Sequence, residues 1–272
     1  MYPLITLLTD FGTDDTYVGQ MKGVIAGIAP ATTVIDLTHA VRPQLISQGA
    51  FLLETTIEHF PPGAIHVAVV DPGVGTARHA LAIRARSGRG ERFFVGPDNG
   101  LLTCALPPAL RPNTAASIAL PPEIDAVALD FSNERAVSPT FHGRDVFAVA
   151  AARLAGGAAI SDLGHRVDQM IALPPFFAHV EGPGRLRGRV IHIDRFGNAV
   201  TTVHASQLTS APLAVRLGVN QIETFVRAYG DTAGLVALVG SSGYLEVAEV
   251  NGNAAARLGV QIGQDVFVET RT

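Results

Sequence analysis

The chain has 272 residues, of which 47% are hydrophobic and 16% charged, a balance that suits one large or two medium domains and excludes a disordered chain. A net charge of −4 without any Lys/Arg run excludes the electrostatic footprint of a nucleic-acid binder, so no nucleic-acid partner is expected. The single cysteine, Cys104, excludes an intrachain disulfide and argues against a thiolate metal site, which fits a reducing compartment.

A mean hydropathy of +0.29 predicts extensive burial, part of it between subunits. The opening MYPLITLLTDFG has no basic segment before its apolar run and meets an acid at Asp10, so neither a signal peptide nor a transit peptide is expected. No stretch approaches the roughly 18–20 uncharged apolar residues of a spanning helix. The expectation is a soluble, cytoplasmic protein with no membrane partner.

Residues 3–9 read as a short apolar strand that runs into the loop Asp10-Phe11-Gly12-Thr13-Asp14-Asp15. A helix over residues 16–28 follows, with Asp14 or Asp15 as its cap and Val18, Met21, Ile25 and Ile28 at helical spacing. Residues 33–39 form a second strand ending at Asp36 and His39, and a helix over 45–59 is closed by Pro61-Pro62-Gly63. The stretch 64–83 is a buried strand to Val70, then Asp71, a Pro-Gly-Val-Gly turn, Arg78 and a further strand from Leu81. Another strand begins at Arg92 and ends in Pro97-Asp98-Asn99-Gly100. Asp10, Asp36, Asp71 and Asp98 thus all follow strands. Strands alternating with helices predict a largely parallel sheet, whose ligand site lies outside the carboxyl ends of its strands.

Residues 106–125 read as a helix end with a loop. The segment Ser138-Pro139-Thr140-Phe141-His142-Gly143-Arg144-Asp145 leads into an Ala-rich helix over 146–154, which sets His142 beside a helix N-terminus. From Leu173-Pro174-Pro175 the texture changes to short strands, at 188–194, 199–204, 212–217, 235–239, 244–250 and 264–269, with one helical stretch at 254–258. The reading is an N-terminal α/β domain over 1–172, a linker over 173–183 and a smaller all-β, barrel-like domain over 184–272. The latter carries two polar clusters, Asp194-Arg195-Phe196-Gly197-Asn198 and Gly240-Ser241-Ser242-Gly243. Both compositions are also common in ordinary turns.

Seven segments in collinear order, LLTDFGTDDTYVGQMKG, VIDLTH, VVDPGVGTAR, FVGPDNGLLT, TFHGRDVF, IDRFGNAVTT and SSGYLEVA, resemble the S-adenosyl-L-methionine hydroxide adenosyltransferases, hydrolases that form adenosine and are related to the fluorinases and chlorinases. The resemblance runs from about residue 4 to residue 270. It implies attack of water or hydroxide on C5′ of S-adenosyl-L-methionine, with adenosine and L-methionine as products and neither cofactor nor metal. It also implies a homotrimer whose active sites lie between the N-terminal domain of one subunit and the C-terminal domain of the next. The family's catalytic Asp-Arg-His triad falls on Asp71, Arg78 and His142, and its ribose-binding Asp on Asp10. Its methionine-binding groups fall on Asp194, Asn198, Ser241 and Ser242. Adenine falls to Phe141, with Phe225 and the backbone near Asn251–Ala254 matched more loosely.

Fluorinases carry Tyr where this chain has Asp71, Tyr-Ser where it has His142-Gly143, and an insertion between the counterparts of Arg78 and Phe94. An anionic Asp71 also opposes halide on charge grounds. Where fluorinases have Asn-Ser-Arg-Gly this chain has Gly240-Ser241-Ser242-Gly243, without an Arg for the methionine carboxylate. Two other readings compete. One is a non-catalytic protein that binds S-adenosyl-L-methionine or adenosine in the same pocket. The other is a metal-dependent nucleoside hydrolase, whose calcium-binding Asp-x-Asp-x-Gly-x-Asp-Asp resembles residues 8–15 but would need an Asp at Leu8.

Overall fold

Apolar runs that can be buried on both faces open the chain. In the computed structural model, which describes residues 3–132, 137–208 and 210–271, strand β1 (Leu4–Thr9) is fully buried from its second residue. Helix α1 (Tyr17–Ile28) and strand β2 (Thr33–Thr38) follow, then α2 (Ile46–Ile57), β3 (Ile65–Val69), and the hairpin β4 (Ala80–Ser87) and β5 (Gly90–Pro97). The remainder of this unit is β6 (Ala116–Ala119), β7 (Ile124–Leu129), α3 (Ala148–Ala155), β8 (Gly164–Val167) and β9 (Gln169–Ala172). The chain falls into two units, Met1–Pro175 and Phe176–Thr272.

The main sheet of the N-terminal unit has the order β2-β1-β3-β5-β4-β7-β8. Pairings of β2 with β1, β1 with β3 and β3 with β5 are parallel, and those of β4 with β5 and β7 and of β7 with β8 are antiparallel. The unit is α/β as expected, and its sheet is mixed. The short Ser87–Gly90 connection leaves no room for a crossover, so β4 and β5 must run antiparallel. One face packs Ile5, Leu7, Val67 and Val69 on Met21 and Ile25 of α1 and Ala148 and Ala151 of α3.

Three local expectations are corrected. Neither Asp14 nor Asp15 caps α1; Thr16 holds the N-cap position without a side-chain bond, and both acids are exposed. Ile28, at helical spacing with the buried Val18, Met21 and Ile25, is 45% exposed because it lies in the last turn. The region 106–125 forms no α-helix. Prolines at 107, 108 and 112 interrupt it, leaving one-turn segments at Thr103–Ala105 and Pro108–Leu110 before β6 and β7.

The C-terminal unit is antiparallel throughout its strand ladder. Its strands are β10 (His179–Gly182), β11 (Arg185–Ile193), β12 (Ala199–His204), β13 (Pro212–Leu217), β14 (Asn220–Ile222), β15 (Gly234–Val239), β16 (Tyr244–Val250) and β17 (Asp265–Thr270), with α4 (Ala254–Leu258) between the last two. The order is β14-β13-β17-β11-β12-β16-β15, with β10 paired to β11. Beyond β14, Val226 donates to Ala237 O and Ala237 donates to Thr224 O, so the ribbon nearly closes on itself. Val190, Val203, Val215, Leu245, Val247 and Val266 fill the interior of this barrel. β10 and β14 have only four and three residues and gave no periodic signal. Among the described residues no helix is long and apolar enough to cross a membrane.

Candidate active site

Parallel pairing in register sets Thr9 of β1 beside Val69 of β3, so Asp10 and Asp71 emerge at the same sheet edge. The Asp10 loop is fixed from several sides. Asp10 Oδ2 accepts the Gln44 N–H at 2.7 Å, and Gly12 N–H donates to His39 O at 2.8 Å. Thr9 Oγ1 accepts the Phe11 N–H and meets His39 Nδ1 at 2.8 Å. Gln44 adopts φ +67°, an uncommon angle for a residue with a side chain, to aim its N–H at Asp10.

Asp71 is gripped in a fork. Arg78 Nε donates to Asp71 Oδ1 at 3.0 Å, while Nη2 donates to Oδ2. The same Nη2 contacts His142 Nδ1 at 3.0 Å, joining residues 64 apart in sequence. A guanidinium only donates, so Nδ1 is the acceptor and a neutral ring carries its proton on Nε2. Burial first, and then the Arg78 charge, hold the His142 imidazole below its ordinary value of 6.5, against weaker opposition from Asp71 and Asp145. Phe147 lies under the guanidinium, with its centroid 5.4 Å from Arg78 Cζ.

The loops bearing these residues meet at a glycine. Gly75 has φ +77°, and a Cβ there would stand 2.6 Å from Pro139 O. No side chain fits, and the 71–78 loop therefore closes on the segment leading to His142. That segment enters α3 through a π-helical turn over Gly143–Phe147, with His142 at its N-cap.

A cavity of about 420 Å³, within the usual range for small-molecule sites, is lined by Asp10, Gln44, Asp71, Phe141 and His142 together with Phe11 and Tyr17. Arg78 is not in its lining and stands behind Asp71 and His142. Phe11, Tyr17 and Phe141 make edge-to-face contacts with centroids 5.2–5.9 Å apart. Gly143 permits this closure, since a Cβ there would sit 3.2 Å from both Phe11 and Phe141.

Asp36 and Asp98, which look like Asp10 and Asp71 in the sequence, do other work, and Asp36 lies within β2 and not in a loop after it. Asp36 bonds Lys22 at 2.6 Å, with His39 Nε2 at 3.0 Å outside hydrogen-bond alignment. Asp98 accepts the Ile171 N–H at 2.7 Å, and burial pushes its carboxyl up.

The C-terminal unit carries the remaining residues. Asp194 Oδ1 accepts the N–H groups of Phe196 and Asn198, both at 2.9 Å, and Oδ2 accepts Asn198 Nδ2 at 2.9 Å. Asn198 Nδ2 also reaches the Tyr229 hydroxyl at 3.3 Å, and Tyr229 donates to Glu246 Oε2 at 3.0 Å. Glu246 in turn lies under Gly240, where a Cβ would fall 1.7 Å from Oε1. Glu246 thereby joins the Asp194–Asn198 turn to the turn carrying Ser241 and Ser242 between β15 and β16. Neither Tyr229 nor Glu246 was picked out from the sequence. Only Glu246 left a signal, as an acid inside the apolar run Tyr244-Leu245-Glu246-Val247. Phe225 bridges to Ala237 and packs on the barrel core, and Asn251 is exposed in a turn at φ +57°. Among the described residues no group of three or more His, Cys, Asp or Glu is arranged to hold a metal ion.

A cavity at the edge of a mixed sheet, lined by two aspartates, an imidazole and an aromatic wall, defines a small-molecule site of an enzyme-like kind. Residues 5–164 match the SAM hydroxide adenosyltransferase N-terminal domain and residues 188–267 the C-terminal domain. The chain belongs to this family. It is 41% identical over 268 residues to an (R)-S-adenosyl-L-methionine hydrolase of Thermus thermophilus, covering 96% of this chain and 98% of that protein. The protein of the same name from Salinispora arenicola is 38% identical over 98% of this chain and 97% of its own length. A fluorinase of Actinopolyspora mzabensis is more distant, at 27% over 98% and 97%. Among solved structures, an uncharacterised conserved protein of Thermotoga maritima superimposes with a TM-score of 0.83 at 29% identity, covering 98% of this chain and all of that one.

Proposed function

We propose that this chain hydrolyses S-adenosyl-L-methionine at C5′, releasing adenosine and L-methionine. The single observation that carries the reading is that Asp71 and His142 face one cavity with Arg78 bonded behind both. A sulfonium departs as a neutral thioether, so the leaving side needs no general acid. The site must supply a held water, alignment and exclusion of solvent; fixing reactants in line can remove up to roughly 7–11 kcal/mol of barrier in the best intramolecular cases.

In this arrangement the two cavity-facing groups take different parts. His142 Nδ1 is occupied by Arg78, leaving Nε2–H as a donor that orients a lone pair of the water. Asp71 accepts a water proton as the oxygen attacks C5′. Arg78 contributes by holding both partners. Asp10 holds the ribose hydroxyls, Phe141 and Phe225 flank adenine with backbone from Asn251, and Asp194, Asn198, Ser241 and Ser242 take the methionine end. The reaction uses no cofactor or metal.

The proposed working form is a cytoplasmic homotrimer in which the C-terminal unit of one subunit completes the N-terminal pocket of the next. Supporting this are the division of polar residues between the units and the exposure of Tyr17 and Phe196, at 44% and 74%.

Incubation of pure protein with S-adenosyl-L-methionine in ¹⁸O-water, followed by chromatography and mass spectrometry, tests the reading. Expected are adenosine labelled at its 5′ oxygen and unlabelled L-methionine, in equal yield with EDTA present. Intact substrate that is nevertheless bound would establish the non-catalytic reading instead, and loss of turnover in EDTA would establish a metal enzyme.

A further inference from the structure

Glu246 sits in the middle of β16, 8% exposed, on the face opposite the barrel-core residues Leu245 and Val247 and directly across from Leu238. A buried carboxyl costs stability unless it is bonded, and an apolar residue would match the neighbouring patch of Val236, Leu238 and Ala248 better. Its partner is the hydroxyl of Tyr229, a residue 42% exposed from a one-turn segment between β14 and β15. Burial first, then the nearby Asp194 charge, push the Glu246 carboxyl up, against the lowering effect of the Tyr229 bond. Burial and the bond to Glu246 push the Tyr229 hydroxyl up to about 12, so it keeps its proton at working pH.

The direction of each bond in this chain is fixed by elementary donor and acceptor rules. The Tyr229 proton goes to Glu246, which leaves the phenol oxygen to accept from Asn198 Nδ2. The second Nδ2 hydrogen goes to Asp194 Oδ2, and an amide oxygen turned toward that carboxylate would be repelled. Both hydrogens of the amide are thereby engaged, and its carbonyl oxygen Oδ1 is left outside the network.

We infer that Tyr229 and Glu246 are positioning residues that lock the Asn198 amide with Oδ1 presented beside the Asp194 carboxylate, making this corner of the barrel a receptor for an N–H donor of the substrate. The inference rests on the proposed function, and S-adenosyl-L-methionine offers two such donors, its α-ammonium and the amino group of adenine. Gly240 belongs to the same device, since any side chain there would displace the Glu246 carboxyl.

The test compares wild type with Tyr229→Phe and with Glu246→Gln and Glu246→Leu. Steady-state kinetics are measured with S-adenosyl-L-methionine, and binding of adenosine and of L-methionine by calorimetry. Tyr229→Phe is expected to raise KM about tenfold and leave kcat within about twofold. The same variant is expected to weaken one of the two product ligands and spare the other. Weaker L-methionine keeps Asn198 at the methionine end with the ammonium as donor, and weaker adenosine moves Asn198 to the adenine amino group instead. Glu246→Gln, which still accepts from Tyr229, should retain more affinity than Glu246→Leu. Glu246→Leu should melt no lower than wild type while binding more weakly, a pairing that a merely structural role cannot produce. Unchanged KM and unchanged ligand binding in Tyr229→Phe, or equal losses for both ligands, overturn the inference. A wild type that leaves S-adenosyl-L-methionine intact overturns the proposed function instead, and the two ligand titrations can be read without turnover.

Discussion

The two units hold their polar residues by opposite means. In the N-terminal pocket a cation grips an anion and an imidazole at once, so Asp71, Arg78 and His142 form a charge-balanced cluster reached from two loops. In the C-terminal barrel, Asp194, Asn198, Tyr229 and Glu246 are chained by bonds that use up donors and leave acceptors. The first arrangement suits holding a reactive water still. The second suits catching a group that arrives with its own hydrogens. On this contrast, damage to the pocket falls on turnover and damage to the barrel chain on affinity.

The largest effect expected from breaking that division is at Asp71. Asp71→Asn keeps the shape and removes the charge, and should lower kcat by about 10²–10⁴-fold while KM stays nearly constant. Stopped assays over a substrate series decide it, and a loss confined to KM would collapse the distinction between the units. Next is Gly75→Ala, which meets both a positive φ and a carbonyl 2.6 Å from the new Cβ. A destabilisation of about 1–3 kcal/mol in urea unfolding is expected, with kcat falling because the His142 segment is pushed away. Wild-type stability in this variant would show that the two loops are not tightly joined at Gly75.

The smallest effect sharpens the assignment of His142. Its folded value lies below 6.5, so below that pH the unfolded chain binds the proton more readily and stability is lost as pH falls toward the folded value. His66, buried and shifted down to about 4, chiefly by burial with Arg92 adding to it, acts in the same direction. Stability should be level above pH 6.5 with respect to these two groups and decline between about 6.5 and 4. Denaturant titrations across that window measure it, and His66→Phe should flatten part of the slope. kcat should likewise fall only below the ordinary imidazole value, because protonation of Nδ1 ejects the Arg78 contact.

Much of this was readable in the chain. Strand ends mark Asp10 and Asp71 because a parallel sheet delivers them to one edge, and the strands 199–204, 212–217 and 244–250 coincide with β12, β13 and β16. The rest depends on partners distant in sequence. Asp36 and Asp98 carry the same local signature as the pocket acids, and only Lys22 and Ile171, folded against them, reveal a structural use. The mixed sheet was hidden because the order of β3, β5 and β4 is set by pairing rather than by periodicity. Tyr229 was invisible because its role is defined by a carboxyl 17 positions away.

The placement of Arg78 behind the pocket wall bears on how the cycle ends. The lining of the proposed substrate cavity carries Asp10 and Asp71, and Arg78 is not part of it. A positively charged sulfonium is drawn toward that surface, whereas the thioether left after cleavage carries no charge for it to hold. The chemistry therefore erases part of the attraction that brought the substrate in, and departure of methionine is favoured by the reaction itself.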